Sequence, residues 1–216
     1  MLQAEDEDGH PLTDQALRDE VMTLLLAGHE TTANALTWTL MLLAQNPEKE
    51  IKLVQEVQSI LAGRLPTIAD LPQLQYTERV LKESMRLYPP AWTLGREVIH
   101  DCQVADYHLT RGTLVYLSQW VVHRDGRFFE NPEQFWPERW ENGLEQRLPR
   151  GAYFPFGAGP RVCIGKAFAM MEATLMLAMV VQKFHLALVP DPPIELLPSI
   201  TLRPRQGLKM RLNARK

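Results

Sequence analysis

One thiol is set apart by its neighbours. Cys163 lies in Phe-Pro-Phe-Gly-Ala-Gly-Pro-Arg-Val-Cys-Ile-Gly, residues 154–165, directly before the apolar run KAFAMMEATLMLAMVVQKF. A thiolate is stabilised at a helix N-terminus, where unpaired backbone N–H groups and the positive dipole end face the sulfur. Gly157, Gly159 and Gly165 allow a sharp turn and the close approach of a flat ligand to the backbone. A lone cysteine is more often a small buried hydrophobe than a ligand. A core-filling thiol needs no such punctuation, so the loop reverses that preference.

Two further constellations carry chemistry. Ala27–Thr32 reads AGHETT in the middle of an apolar helical stretch. Glycine and β-branched threonines weaken a helix, and local rules tend to break at functional sites. The alternative is an exposed polar patch or a tolerated kink, against which the apolar flanks argue. Glu83 and Arg86, in KESMR, are spaced i, i+3 and share a helix face. Taken alone, a solvated pair is the commoner reading.

Phe156, Gly159, Arg161, Cys163 and Gly165 match Phe-x-x-Gly-x-Arg-x-Cys-x-Gly at every spacing, and with it the chain resembles the cytochrome P-450 family of haem-thiolate monooxygenases. The resemblance implies haem b, iron protoporphyrin IX, with Cys163 as axial ligand. Such a thiolate pushes electron density toward iron and favours O–O cleavage. Phe156 is then implied near the sulfur, and Arg161 and Arg96 as partners of the propionates. AGHETT is similar to the distal helix of the family. Ala27 and Gly28 are implied to leave room for dioxygen, and Glu30 and Thr31 to be the acid and alcohol that supply protons in a dry site. Thr32 reads as structural, and His29 as a surface or packing residue. Pro137–Trp140, "PERW", resembles the partner segment of the Glu-x-x-Arg helix, which implies a buried Glu83–Arg86–Arg139 triad locking the loop before Cys163. Leu24, Ala27, Trp92, Thr93, Leu94 and Ile200 fall in stretches that reach the substrate pocket in the family; an apolar lining is equally what any core offers. His123-Arg124-Asp125 reads as local packing.

The function so implied is insertion of one oxygen atom from O₂ into an apolar small molecule. Electrons would come ultimately from NAD(P)H through a ferredoxin, a flavodoxin or a reductase. Lys82, Arg150 and Lys166 could face an acidic donor, or could simply be solvated. Two alternatives stay open: a relative that rearranges peroxides, against which the Glu30-Thr31 pair argues, and a haem-binding remnant without catalysis.

These residues need elements to hold them. Thr13 is a plausible N-cap for a helix over 14–45, on the order of 48 Å long. Asn46-Pro47 restarts the chain with a second helix ending near Gly63, Asn46 capping it. A third helix spans 75–87 and stops before Pro89. Short β-branched runs from Val98 to Ser118 suggest a small sheet, and residues 126–153 a long aperiodic loop. The run after Cys163 is apolar nearly all round and reads as buried. The proline-rich tail, with Pro190, Pro192, Pro193, Pro198 and Pro204, reads as an irregular hairpin. The fold class is mainly α with small β-sheets, resembling the C-terminal half of the family's fold: long distal helix, Glu-x-x-Arg helix, Cys-ligand loop and proximal helix. Residues 1–216 read as a single partial domain, with the N-terminal half absent and itself a candidate partner.

Composition agrees with a globular class. Apolar residues make up 45% and charged residues 23%, unlike a disordered tail. A net charge of −3 gives no ground for nucleic acid. Cys102 and Cys163 form no CxxC pattern, which fits a reducing compartment, hence a cytoplasmic, intracellular reading. The acidic start MLQAEDEDGH has no signal-peptide pattern. Val21–Leu43 approaches the length of a membrane span, but Gly28, His29, Glu30 and Asn34 interrupt it, so it reads as a buried helix.

Overall fold

The computed structural model describes residues 8–189 and 193–215, so the first seven residues, Pro190 and Pro192 lie outside the described residues. Helix α1 (Asp14–Gln45) begins where the Thr13 hydroxyl accepts the Ala16 N–H at 3.2 Å, the cap expected from the sequence. Its two halves differ. Thr32, Asn34, Ala35, Trp38, Thr39 and Met41–Leu43 are buried, whereas every residue from Arg18 to Glu30 is exposed. The expectation of a buried helix therefore holds only for the second half. Val21, Met22 and Leu24–Leu26 are apolar on several faces at once, and no single neighbouring layer can cover such a helix.

Helix α2 (Pro47–Leu61) has Pro47 at its first position. Asn46 does not cap it with its side chain: Nδ2 donates back to the Leu42 carbonyl at 2.8 Å and closes α1 instead. Helix α3 (Gln75–Leu87) is capped from a distance. Glu56 of α2 accepts the Tyr76 N–H at 2.5 Å, the Thr77 N–H at 2.8 Å and the Thr77 hydroxyl at 2.7 Å. A carboxylate here satisfies free donors and meets the positive end of the helix dipole.

Four two-stranded antiparallel sheets follow among the described residues. β1 (Leu94–Glu97) pairs with β4 (Leu114–Leu117), and β2 (Cys102–Val104) with β3 (Tyr107–Leu109). The sheet thus begins ahead of Val98. The short α4 (Gln119–Val122) leads into the long loop, which contains a 3₁₀ turn over Pro137–Gly143 and α5 (Leu144–Arg147). Helix α6 (Lys166–Lys183) is followed by β5 (Phe184–Leu188), which pairs with β8 (Met210–Ala214); between them β6 (Leu196–Pro198) pairs with β7 (Leu202–Pro204). The tail is thus two nested ladders, not one irregular hairpin. Helix α6 buries Ala173, Thr174, Leu177, Ala178 and Val181 but leaves Phe168 and Met176 open, so it is half-buried and not enclosed as its composition suggests.

The core lies where the second half of α1 meets α2, α3 and α6. Trp38 is its largest fully buried side chain. Its ring stacks on Tyr88 at 4.7 Å, and Nε1 donates to the Leu202 carbonyl at 3.0 Å. One residue thus ties α1 to the end of α3 and to β7. A second tie joins the loop to the helices: Glu138 accepts from Lys49 at 3.0 Å, from Lys52 at 2.5 Å and from the Tyr76 hydroxyl at 3.2 Å.

Replacing Trp38 by alanine should cost about 3–5 kcal/mol of stability, read as a lower urea midpoint. Glu138 supplies a pH test. Burial acts to raise its carboxyl, but Lys52 and Lys49 outweigh it and hold it at about 2, below its ordinary 4.5. A depressed folded pKa gives stability that is full above about 4.5 and is lost as pH falls toward about 2. Unfolding of the Glu138→Gln chain should therefore depend less on pH within that window than unfolding of the parent chain.

Candidate functional site

The most enclosed polar cluster is centred on Glu83 of α3. Its carboxylate accepts from Arg86 through Nε at 3.0 Å and Nη2 at 2.9 Å, and from Arg139 Nε at 2.9 Å. The Trp136 N–H at 3.0 Å and the Trp140 indole at 2.9 Å complete the shell. Glu83 and Arg86 are 0% exposed. The solvated-pair reading therefore does not describe this site. The remaining guanidinium donors reach main-chain carbonyls: Arg86 binds His123 at 2.8 Å, Pro132 at 2.6 Å and Gln134 at 3.1 Å, and Arg139 binds Glu130 at 2.8 Å and Asn131 at 3.2 Å.

Cys163 stands at the far end of this loop. Gly157 and Gly159 have φ of +73° and +71°, a region closed to most side chains, and they turn the chain so that the Phe156 carbonyl accepts the Cys163 N–H at 2.9 Å. The Cys163 thiol is free and exposed, just ahead of α6. Around it lie open apolar side chains: Ile164 is 92% exposed and Phe168 63%, with Val162 beside them. Phe156 is half-buried, and Arg161 is exposed. A Cβ on Gly157 would meet Leu94 Cδ1 at 3.6 Å, so β1 rests against the loop. Arg96 lies two residues further on the same face of β1, its guanidinium bonded to the Gly95 carbonyl at 2.7 Å. Leu94 and the Cys163 loop are thus brought together, with Arg96 on the same strand.

On α1, the Thr31 hydroxyl donates to the Ala27 carbonyl at 2.7 Å. Glu30 is not bonded to Thr31. Its Oε1 accepts the Thr201 hydroxyl at 2.8 Å and lies 3.9 Å from Arg203, while Thr201 Oγ1 accepts from Asn34 Nδ2 at 3.2 Å. The chain just ahead of and within β7 therefore holds the acid; the sequence reading missed these partners, and no local signal marks them. Ala27 and Gly28 are exposed, and a Cβ on Gly28 would meet nothing within 4 Å. The tip between β6 and β7 also accepts the Trp92 indole at the Ser199 carbonyl, 2.8 Å away, so Trp92, Glu30 and the 97%-exposed Ile200 border one region. Thr93 bonds the Leu117 carbonyl at 3.4 Å, and Leu24 is exposed on the open part of α1. Lys82 is not a free cation, since it pairs with Glu78 at 2.8 Å and Glu145 at 2.9 Å.

A sequence model described as Cytochrome P450 matches residues 1–210. Cyclooctatin synthase of Streptomyces melanosporofaciens is 43% identical over 198 residues, covering 92% of this chain and 43% of that protein. Pentalenene oxygenase of Streptomyces avermitilis is 37% identical over 215 residues, covering 100% of this chain and 48% of that protein. Human Cytochrome P450 4V2 is 38% identical over 218 residues, covering 100% and 42%. The chain spans less than half the length of these relatives. Among the described residues, no helix is long and apolar enough to cross a membrane.

Removing the Glu83 carboxylate leaves two guanidiniums without their counter-charge in a closed site. Glu83→Gln should cost about 3–5 kcal/mol, measured by urea unfolding against the parent chain.

Proposed function

The chain belongs to the cytochrome P450 family, and on that premise we propose that Cys163 is the axial ligand of a haem iron in a monooxygenase acting on an apolar organic substrate. The observation that carries this reading is the exposed thiol ahead of α6, with its N–H bound to Phe156 and its loop turned by two left-handed glycines. The residues present fit the group. A thiolate is a fitting donor for iron, the sulfur has no competing disulfide, and the apolar Val162, Ile164 and Phe168 offer a surface for a porphyrin. Bound haem would supply the iron at which dioxygen is activated.

The residues of this chain set the conditions. The N-terminal end of α6 lies next to the sulfur. Arg161, within the loop, and Arg96, on β1, supply positive charge for propionates. Thr31 directs its hydroxyl proton to Ala27, so its oxygen is free to accept from a water or a substrate. Glu30 is the proton store, and it reaches Thr31 only after letting go of Thr201 or through an intervening water. Trp92, Leu94, Ile200, Leu24 and Ala27 contribute apolar surface for the substrate. The family reading also brings a separate electron donor, whether ferredoxin, flavodoxin or reductase; Arg150 is exposed and could face it, while Lys166 lies 3.9 Å from Glu145.

The open half of α1 carries a second reading. Residues 1–216 form a partial domain that binds haem but does not turn over until a further segment covers α1. Turnover by the 216-residue chain with only reductant and O₂ would overturn it.

The haem-bound chain, reduced under carbon monoxide, should show the red-shifted Soret band of thiolate ligation, and Cys163→Ser should abolish it. A band that survives the substitution rejects Cys163 as the ligand. In the active assembly, Thr31→Ala should raise the reductant consumed per product formed; an unchanged ratio removes Thr31 from the proton path.

A further inference from the structure

His123 lies in a stretch that reads as mere packing, yet it touches both halves of the site. It is fully buried. Its main-chain carbonyl accepts Arg86 Nη1 at 2.8 Å, which joins it to the Glu83 cluster. On the other side, Nε2 accepts the N–H of Phe154, the first residue of the cysteine loop, at 2.9 Å. The ring is packed between Tyr153, with centroids 5.1 Å apart, and Phe154, edge-on at 5.2 Å. Tyr153 in turn lies on Trp140 at 4.5 Å, the same indole that donates to Glu83.

We infer that His123 is a positioning residue, whose Nε2 fixes the start of the Cys163 loop against the Glu83–Arg86–Arg139 cluster. Three hydrogen bonds in the loop follow in series. Phe154 donates to His123, the Phe154 carbonyl accepts the Gly157 N–H at 2.9 Å, and the Phe156 carbonyl accepts the Cys163 N–H at 2.9 Å. A displaced Phe154 would therefore shift the turn that aims the sulfur. The bond assigns the ring proton to Nδ1, since Nε2 must keep its lone pair. That requires a neutral ring. Burial first, and then the Arg86 guanidinium, hold the imidazole at about 3. Among the described residues Nδ1 has no hydrogen-bond partner, so the bond from Phe154 is the one polar tie of the ring. The acceptor is thus present throughout the neutral range. A ring serving only as filler would not need to be histidine.

The inference concerns the loop that the proposed function relies on, but its test does not require Cys163 to bind iron. Amide hydrogen exchange is measured on the full chain for the parent, His123→Phe, which keeps a ring without an acceptor, and His123→Gln, whose amide oxygen can replace Nε2. With His123→Phe, exchange at Phe154, Gly157 and Cys163 should accelerate about tenfold while Val80 and Leu81 in α3 stay protected. His123→Gln should restore parental rates. Unchanged rates in the loop, or an equal rise in α3, overturn the inference; so does failure of glutamine to rescue. If His123→Phe does not fold, His123→Met, a flexible filler without an acceptor of comparable strength, is read by the same criteria. If neither folds while His123→Gln does, the acceptor is supported; if all three fail, the imidazole is needed for packing and the inference falls.

Discussion

The structure depends on one buried carboxylate facing two guanidiniums. Glu83 neutralises only one of the charges of Arg86 and Arg139, so the cluster keeps a net positive charge in a site closed to water. Such a group is costly unless every donor finds an acceptor. Here the surplus is spread over the carbonyls of His123, Glu130, Asn131, Pro132 and Gln134. All of those carbonyls but that of His123, which closes α4, belong to the long loop that has no hydrophobic period of its own. The loop is ordered because its main chain solvates the cluster, and the cluster is tolerated because the loop does so.

This mutual dependence explains how an aperiodic segment can hold the start of the cysteine loop. Helices α3 and α6 pack on each other, and the chain between them is fastened at Glu83, at His123 and through Tyr153, whose hydroxyl donates to the Lys82 carbonyl at 3.0 Å. The cysteine loop therefore starts from a fixed point. Its own geometry then needs only the two left-handed glycines and the bond between Phe156 and Cys163.

What could be read from the sequence was what close spacing encodes. Thr13 as cap, α1 through Gln45, α3 over 75–87, and the loop with Cys163 ahead of α6 all follow from neighbours in the chain. Contacts between distant residues were silent. Nothing in AGHETT announces that Glu30 will bond Thr201, 171 positions away, or that the Trp38 indole will bond the Leu202 carbonyl. Asn46 had two acceptable uses for its side chain, and the structure takes the one that closes α1. For Lys82 the partner Glu78, one helical turn away, was legible in the sequence, whereas Glu145 was not. For α1 and α6, apolar content indicated burial, but burial needs a partner as well as a pattern, and residues 18–29 of α1 are all exposed among the described residues.

Helix α1 therefore joins two mechanical regimes in one continuous backbone. From Thr32 onward it is clamped by Trp38 and the core; from Arg18 to His29 it projects as a cantilever, exposed along its whole length among the described residues. Any body that seats on the free part acts through a stiff rod, so a small tilt there is delivered directly to the bond between Glu30 and Thr201 at the fulcrum.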